Sequence, residues 1–156
     1  MHSVKRLLKT DEQWLNARKI GGSDLACLFN ASPWETPIDL YKRLALHESK
    51  PKKDNPLMEA GREAEDHIRA LFAIDMSKEL EVECPPKEGH WLFHRKDKSF
   101  ITCTPDGLLK SKPDGKSGGL EIKYVSLYKD EQKAIWLTNQ IPDKYYWQII
   151  QYLVAM

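Results

Sequence analysis

The spacing of the apolar residues changes from helical to strand-like after Lys78, and that change constrains the fold more than any other feature. From Pro56 to Asp75 the apolar residues recur at helical spacing, which is the longest helical signal in the sequence. From Glu79 to Cys84 acidic and apolar residues alternate, as they do in a half-buried strand. Helices followed by a meander of strands and then by more helices predict an α+β or mixed α/β protein.

Shorter patterns predict the remaining elements. Thr10 is a candidate cap for a first helix, and Thr36-Pro37 is typical of a cap followed by the first helical position. The last predicted helix reaches Met156 without a C-cap signal, so we expect the sequence to be truncated at its C-terminus. The predicted helices are about Asp11–Lys19, Leu25–Phe29, Pro37–His47, Leu127–Leu137 and Pro142–Met156, and the predicted strands are Trp91–His94, Phe100–Cys103 and Leu120–Val125.

Composition limits the classes of function that the chain can have. The 156 residues, of which 41% are hydrophobic, are typical of one soluble domain with its own core. No signal peptide or membrane-length apolar run occurs, which predicts a cytoplasmic location. The net charge of +1 gives no global attraction to nucleic acid, so any DNA contacts must come from local basic patches. The alternative is that the basic loops only make the protein soluble. Basic residues lie in three loops, at Lys50, Lys52 and Lys53, at Arg95, Lys96 and Lys98, and at Lys110, Lys112 and Lys116.

The cysteines and histidines argue against a zinc or iron–sulfur protein. Cys27, Cys84 and Cys103 are widely spaced and include no Cys-x-x-Cys pair, which also argues against a disulfide framework. Their apolar neighbours predict that all three are core residues. Among the histidines, His90 and His94 would lie about 13 Å apart on a strand, too far for one metal ion.

A group of acids and a lysine is the feature that suggests chemistry. Asp106 ends an apolar run just before Gly107, and Glu121 and Lys123 stand two apart on a predicted strand, so that both project from one face. Two acids and a lysine form a pocket for a hard cation, and such a pocket suits cleavage of a phosphodiester bond. The same pattern is also typical of the solvated face of a hairpin, and these residues alone leave both interpretations open.

Five segments in a fixed order make the pattern specific. Together they resemble the YqaJ-like viral recombinase and lambda-exonuclease family of the PD-(D/E)XK nuclease superfamily. The segments are Trp14-Leu15-Asn16-Ala17-Arg18 with Gly21-Gly22-Ser23-Asp24, then Gly61-Arg62-Glu63-Ala64-Glu65, Thr104-Pro105-Asp106-Gly107, Leu120-Glu121-Ile122-Lys123, and Tyr145-Tyr146-Trp147-Gln148-Ile149-Ile150-Gln151.

The resemblance implies a fold and an activity. The expected fold is an α+β restriction-endonuclease-like core, a central mixed β-sheet flanked by helices, in a single nuclease domain over residues 1–156. The expected activity is Mg²⁺-dependent 5′-to-3′ exonuclease cleavage of duplex DNA in phage-type recombination, with Mn²⁺ as an alternative metal. Expected partners are double-stranded DNA, a single-strand annealing protein and further copies of the chain in a ring-shaped trimer, inside a bacterial or phage-infected cell. The alternatives are an endonuclease or nicking nuclease with the same core, and a catalytically inactive DNA-binding accessory module.

The resemblance also assigns roles to individual residues. Asp106, Glu121 and the carbonyl of Ile122 would bind the catalytic metal, and Glu65 would be a further ligand, directly or through water. Lys123 would activate or position the attacking water, and Gln148 would lie beside the site. The residues expected to hold the 5′ phosphate of the DNA end are Arg18, Ser23 and Thr104, the last standing where the family commonly has serine.

Each assignment has a structural alternative. Glu65 could be a solvated helix acid, and Arg18 could form a salt bridge with Asp11, Glu12 or Asp24. Ser23 and Asp24 could simply cap a helix. Either Gln148 or Gln151 could be a buried hydrogen-bonding glutamine, and Gln148 is our choice for the site.

Overall fold

A computed structural model of the protein describes residues 3–48, 55–128 and 130–156. Within these residues the chain is mixed α/β, and the predicted class is confirmed. The helices are α1 (Asp11–Ala17), α2 (Gly22–Leu28), α3 (Pro37–Ala45), α4 (Pro56–Asp75), α5 (Asp130–Leu137) and α6 (Asp143–Ala155). The strands are β1 (Ser3–Leu8), β2 (Leu80–Glu83), β3 (His90–Arg95), β4 (Thr102–Cys103), β5 (Gly107–Ser111) and β6 (Ser117–Leu120). Across the described ranges no helix has both the length and the apolar content to cross a bilayer.

Local sequence sets where the helices begin. Thr10 Oγ1 accepts a hydrogen bond from the backbone N–H of Gln13 at the start of α1, over 3.2 Å. Thr36 Oγ1 accepts one from Asp39 at the start of α3, also over 3.2 Å. At the start of α4, Asn55 Oδ1 accepts a hydrogen bond from the backbone N–H of Met58 over 2.9 Å, and Pro56 takes the first helical position. These caps satisfy backbone donors that have no partner within the helix, which is why the predicted starts are close to the observed ones.

The described residues fall into two compact units. The first contains the described parts of Met1–Lys50, Glu88–Thr104 and Leu127–Met156. Its sheet has the antiparallel order β1-β3-β4, and Ile20 adds an isolated parallel bridge to Ile101. The central strand β3 supplies the middle of the core, because Trp91, Leu92 and Phe93 are only 1–6% exposed. The other buried apolar residues are Leu8, Ala26, Cys27, Leu40, Cys103, Tyr152 and Ala155.

The second unit contains the described parts of Pro51–Lys87 and Pro105–Ser126. It consists of the long helix α4 and an antiparallel sheet in the order β2-β5-β6. The hairpin between β5 and β6 pairs Gly107 with Leu120 at its open end. There the backbone N–H of Asp106 donates to the carbonyl of Leu120 over 2.9 Å, which fixes the turn that carries Asp106.

Several predictions about the strands are wrong. The predicted strand Leu120–Val125 stops at its first residue, because β6 ends at Leu120 and residues 121–128 form no strand. The central mixed sheet is replaced, among the described residues, by two three-stranded antiparallel sheets. Short connections such as those joining β3 to β4 and β5 to β6 favour antiparallel pairing.

Two further differences, and one prediction that the structure does not test, concern segments outside the candidate site. Strand β1 was not predicted, because Ser3–Leu8 lacks a clear alternation and forms its ladder with the distant β3. Cys84 is exposed, unlike the buried Cys27 and Cys103, since it follows the end of β2. The predicted basic loop of Lys50, Lys52 and Lys53 lies outside the described residues.

Candidate active site

Glu65, Asp106 and Glu121 form a carboxylate cluster in the second unit, and the half-buried Asp106 interacts with both other acids. Its Oδ2 accepts a hydrogen bond from the backbone N–H of Ile122 over 2.7 Å. Burial, followed by the negative charge of Glu121, raises the pKa of Asp106 to about 7, and Glu65 acts in the same direction. The hydrogen bond from Ile122 and the charge of Lys123 act against this rise. Asp106 is therefore an acid that its own neighbours make difficult to ionise.

Glu121 and Lys123 meet next to Asp106, although no strand carries them. Lys123 Nζ donates to Glu121 Oε1, and their side chains are 29% and 13% exposed, respectively. The expectation that strand spacing brings the two side chains together gives the right pair for the wrong reason. The pair lies in the irregular segment after β6, where the backbone of Ile122 is bound to Asp106.

Glu65 lies on α4 and is held by a buried arginine. Arg69 Nη2 donates to Glu65 Oε1 over 2.7 Å, and Arg69 Nε donates to the backbone carbonyl of Asp106 over 2.5 Å. The side chain of Glu65 is 34% exposed, whereas that of Asp66 is 86% exposed. Burial is the main cause that raises the pKa of Glu65, and Arg69 opposes it. Glu65 is thus partly buried and ion-paired, unlike the solvated acid of the structural alternative.

The donor set of this cluster fits a hard divalent cation. Carboxylate and carbonyl oxygens, such as those of Asp106, Glu121 and Ile122, are the ligands that Mg²⁺ prefers. A bound cation would offset both the burial and the negative charge of Glu121, which together raise the pKa of Asp106. In the parts of the chain that the structure describes, no three His, Cys, Asp or Glu side chains are gathered into a ready metal site. Arg69 and Lys123 hold Glu65 and Glu121 instead.

The three residues expected at a 5′ phosphate are linked in the first unit. Arg18 Nη2 donates to Ser23 Oγ over 3.1 Å. The Arg18 guanidinium also lies 5.2 Å from the centre of the Trp14 ring. Trp14 Nε1 in turn donates to Thr104 Oγ1 over 3.1 Å, so Trp14 connects Arg18 to Thr104. In the sequence Trp14 is only part of a matching segment, and the one signal of its role is its position four residues before Arg18.

The partners of Asp11 and Asp24 test two of the salt bridges that are the alternatives for Arg18. Asp11 Oδ1 lies 2.6 Å from Nε2 of His90. Asp24 is 3% exposed; its Oδ1 accepts from Arg43 over 2.7 Å and its Oδ2 from the backbone of Gly21 over 2.8 Å. Arg18 Nη2 lies 3.9 Å from Asp24 Oδ2, so the ion pair with Asp24 that was the alternative for Arg18 is present, although it is long. Asp24 therefore caps α2 and anchors Arg43, as the structural alternative for that acid predicted.

The two glutamines of α6 have different environments. Gln151 is 3% exposed, and its Nε2 donates to the carbonyls of Ile20 and Thr102 over 2.8 and 3.3 Å. Gln151 is therefore the buried hydrogen-bonding glutamine. Gln148 is half-buried and donates to the hydroxyl of Tyr152 over 3.1 Å. That hydroxyl donates to the carbonyl of Thr104 over 2.9 Å. Gln148 is thereby joined to the phosphate cluster of the first unit, by which we mean Arg18, Ser23 and Thr104.

Close packing of α2 on α6 requires a glycine before Ser23. A Cβ atom at Gly22 would lie 2.7 Å from Cγ of Gln148 and 2.8 Å from Cε1 of Tyr152. Similarly, a Cβ at Gly21 would lie 2.6 Å from Nε of Arg18. The two glycines thus allow Arg18, Ser23 and Gln148 to approach one another.

A basic cavity of about 810 Å³ lies beside Arg18 in the first unit. Arg6, Arg18, Lys19 and two histidines contribute to its wall, and no acidic residue does among the described part of the chain. Arg43 also lines it, but Asp24 and Glu35 neutralise that side chain and raise its pKa. The potential inside the cavity favours an anion such as phosphate.

Two of the predicted basic loops carry their own counter-charges. Arg95 binds Asp97 at 2.8 and 2.9 Å, and Lys116 Nζ lies 2.7 Å from Asp114. Lys112 Nζ donates to the carbonyl of Ser77 over 2.6 Å. These partners reduce the attraction of both loops for DNA without excluding a contact, so their role in DNA binding stays a prediction.

Comparison with known proteins bears on both clusters. The family model of the YqaJ-like viral recombinase domain matches residues 13–155 of the chain. No curated protein matches the chain. The matched stretch includes every residue of the carboxylate cluster and of the phosphate cluster.

Proposed function

Because the chain belongs to the YqaJ-like viral recombinase domain family, we propose that it is a metal-dependent deoxyribonuclease of phage-type recombination. On this proposal it hydrolyses one strand of duplex DNA from a 5′ end. The observation that carries the proposal is the pairing of Lys123 with Glu121 beside the half-buried Asp106, whose pKa is raised to about 7 by burial and then by the neighbouring acids. Acids whose pKa is shifted by burial together with a specific charged neighbour are concentrated at functional sites.

The carboxylates of Asp106 and Glu121 and the carbonyl of Ile122 would hold Mg²⁺, or Mn²⁺ as the alternative. When bound, the metal polarises a phosphate oxygen and lowers the pKa of a bound water. Lys123 would orient the attacking water or offset charge that develops on the phosphate. Glu65 would join as a further ligand, directly or through water, and Gln148 is assigned to the site by resemblance alone.

Arg18, Ser23 and Thr104 would hold the 5′ phosphate of the DNA end. The planar guanidinium of Arg18 matches two phosphate oxygens at once, and its contact with Ser23 Oγ sets its orientation. The wall of the adjacent basic cavity supports the same use, since it attracts the phosphates that follow the DNA end. We assign both clusters to one reaction, and dependence on the 5′ phosphate tests that assignment.

The central experiment compares three substrates with and without Mg²⁺. They are linear duplex DNA with a 5′ phosphate, the same duplex with a 5′ hydroxyl, and closed circular duplex. We expect cleavage of the first substrate above the second, none of the third, and loss of all cleavage in EDTA. Cleavage of the closed circle would establish the endonuclease alternative, and absence of Mg²⁺-dependent cleavage would favour the inactive accessory module.

The proposal extends to partners and location. The product strand would pass to a single-strand annealing protein, and copies of the chain would form a ring-shaped trimer around double-stranded DNA in the cytoplasm of a bacterial or infected cell. Light scattering during size-exclusion chromatography gives the number of chains, and a mass of one chain would remove the ring from the proposal.

A further inference from the structure

Arg69 is the buried charged residue of α4. It is 4% exposed, whereas most other charged residues of the helix are exposed. A buried guanidinium is costly unless its donors are satisfied, so its partners indicate what the protein uses it for.

The three partners of Arg69 belong to two elements of the second unit. Nε donates to the backbone carbonyl of Asp106 over 2.5 Å, and Nη2 donates to Glu65 Oε1 over 2.7 Å. Nη1 donates to Oδ1 of the exposed Asp66 over 2.5 Å. Because the donors of a guanidinium lie in one plane at fixed angles, a single side chain sets the position of helix α4 against the turn before β5.

The other side of that turn is fixed independently. Asp106 donates its N–H to the carbonyl of Leu120 and accepts at Oδ2 from Ile122. The carbonyl of Asp106 is therefore the remaining backbone group of this residue, and Arg69 binds it. Two of the three guanidinium nitrogens of Arg69, Nε and Nη2, thus bind residues that are assigned to the metal site.

We propose that Arg69 is a positioning residue, whose guanidinium fixes Glu65 and the backbone of Asp106 relative to each other as ligands for a divalent cation. This inference rests on the proposed function, since it takes these acids to be metal ligands. Partners of this kind, which bind the ligands and not the metal, typically change metal affinity by about 10- to 100-fold when altered.

The charge of Arg69 and its geometry can be separated by substitution. Arg69→Lys retains one positive charge but places all its donors on one nitrogen with a shorter reach, so it does not reproduce the planar fork that joins Glu65 to the Asp106 carbonyl. Asp66→Asn is the matched control, because it retains an acceptor for Nη1 and leaves the hydrogen bonds from Nε and Nη2 in place. A purely electrostatic role would leave Arg69→Lys close to the wild type.

The test measures Mn²⁺ binding calorimetrically to the whole chain without DNA. We expect Arg69→Lys to bind Mn²⁺ at least 10-fold more weakly and Asp66→Asn to bind as the wild type does. Equal affinity of Arg69→Lys and the wild type would overturn the inference, as would a wild type that does not bind Mn²⁺. A wild type that binds Mn²⁺ in this Arg69-dependent way but cuts no DNA would remove the proposed nuclease and leave the inference standing.

A second measurement applies if Arg69→Lys does not fold. In the wild type the Nε–H resonance of Arg69 reports the bond to the Asp106 carbonyl directly. We expect it to be protected from exchange with solvent and to shift when Mg²⁺ is added. A resonance that Mg²⁺ does not move would overturn the inference.

Discussion

Ile122 donates its backbone N–H to Oδ2 of Asp106 over 2.7 Å, just beyond the last residue pair of the β5–β6 ladder. The last pair of that ladder is Gly107 with Leu120. The side chain of Asp106 thus takes the place of the next strand partner, as acidic side chains do when they compete with a backbone ladder. This bond fixes the orientation of Asp106 and brings the segment that carries Glu121 and Lys123 to it.

Asp106→Asn is expected to stabilise the metal-free protein at pH 8 and to abolish DNA cleavage. Burial and the charge of Glu121 raise the pKa of Asp106 to about 7, so the folded state holds this proton more tightly than the unfolded state does. The contribution of Asp106 to stability is therefore complete below about pH 4 and is lost as the pH rises through about 7. Asparagine retains an acceptor for Ile122 without the charge, and we expect a gain of about 1–3 kcal/mol at pH 8.

Urea unfolding in EDTA at pH 5 and pH 8 measures this gain. Glu81→Gln, which removes an exposed acid from β2 of the same unit, is the control and should change stability by about 0.5 kcal/mol or less. An Asp106→Asn protein no more stable than the wild type at pH 8 would contradict the repulsion between Asp106 and Glu121.

Lys123→Ala is expected to slow DNA cleavage by about 10²-fold or more. The side chain contacts Glu121 next to Asp106, so its loss affects the chemical step more than DNA binding. Single-turnover kinetics with excess enzyme separate the two effects. Lys78→Ala, which removes an exposed lysine just after α4, should leave the single-turnover rate unchanged. Cleavage by Lys123→Ala at the rate of the wild type would exclude the role proposed for this lysine.

The helices of this protein could be predicted because their signals are local. Helix α4 has the predicted bounds, since Asn55 caps it, Pro56 begins it and its apolar residues keep one period to Asp75. The end of β6 could not be predicted in this way. It depends on Asp106, which lies fourteen positions before Leu120 in sequence and takes the N–H of Ile122 out of the ladder.

The candidate site shows the same division. The acids and Lys123 could be selected from their residue types and from the resemblance, because both depend on sequence alone. Arg69 and Trp14 could not, since their importance lies in the partners that folding supplies, namely the carbonyl of Asp106 and the hydroxyl of Thr104. An arginine four residues after Glu65 is common on helix surfaces and gives no sign that it is buried.

Gln151 and Gln148 are expected to separate stability from activity. Gln151→Ala removes a buried donor to the carbonyls of Ile20 and Thr102 and leaves both without this partner, which should cost about 1–3 kcal/mol. Gln148→Ala removes one hydrogen bond to the Tyr152 hydroxyl at a half-buried position and should cost about 1 kcal/mol or less. Urea unfolding gives both values, and single-turnover cleavage should fall by more in Gln148→Ala. If Gln148→Ala is instead the more destabilised variant, Gln148 is the structural glutamine and Gln151 becomes the candidate for the site.

Trp14→Phe is expected to weaken discrimination between 5′-phosphorylated and 5′-hydroxyl DNA without changing the chemical step. Phenylalanine retains a ring beside the Arg18 guanidinium but lacks the Nε1 donor that fixes Thr104 Oγ1. A neutral hydrogen bond contributes about 0.5–1.5 kcal/mol, so the ratio of kcat/KM for the two substrates should fall by about 2- to 10-fold. Trp34→Phe is the matched control, because Trp34 is 74% exposed and lies against Lys144, so its replacement should leave the ratio unchanged. A ratio that is unchanged in Trp14→Phe would show that Thr104 does not help to hold the 5′ phosphate, and Arg18 with Ser23 would then carry that contact alone.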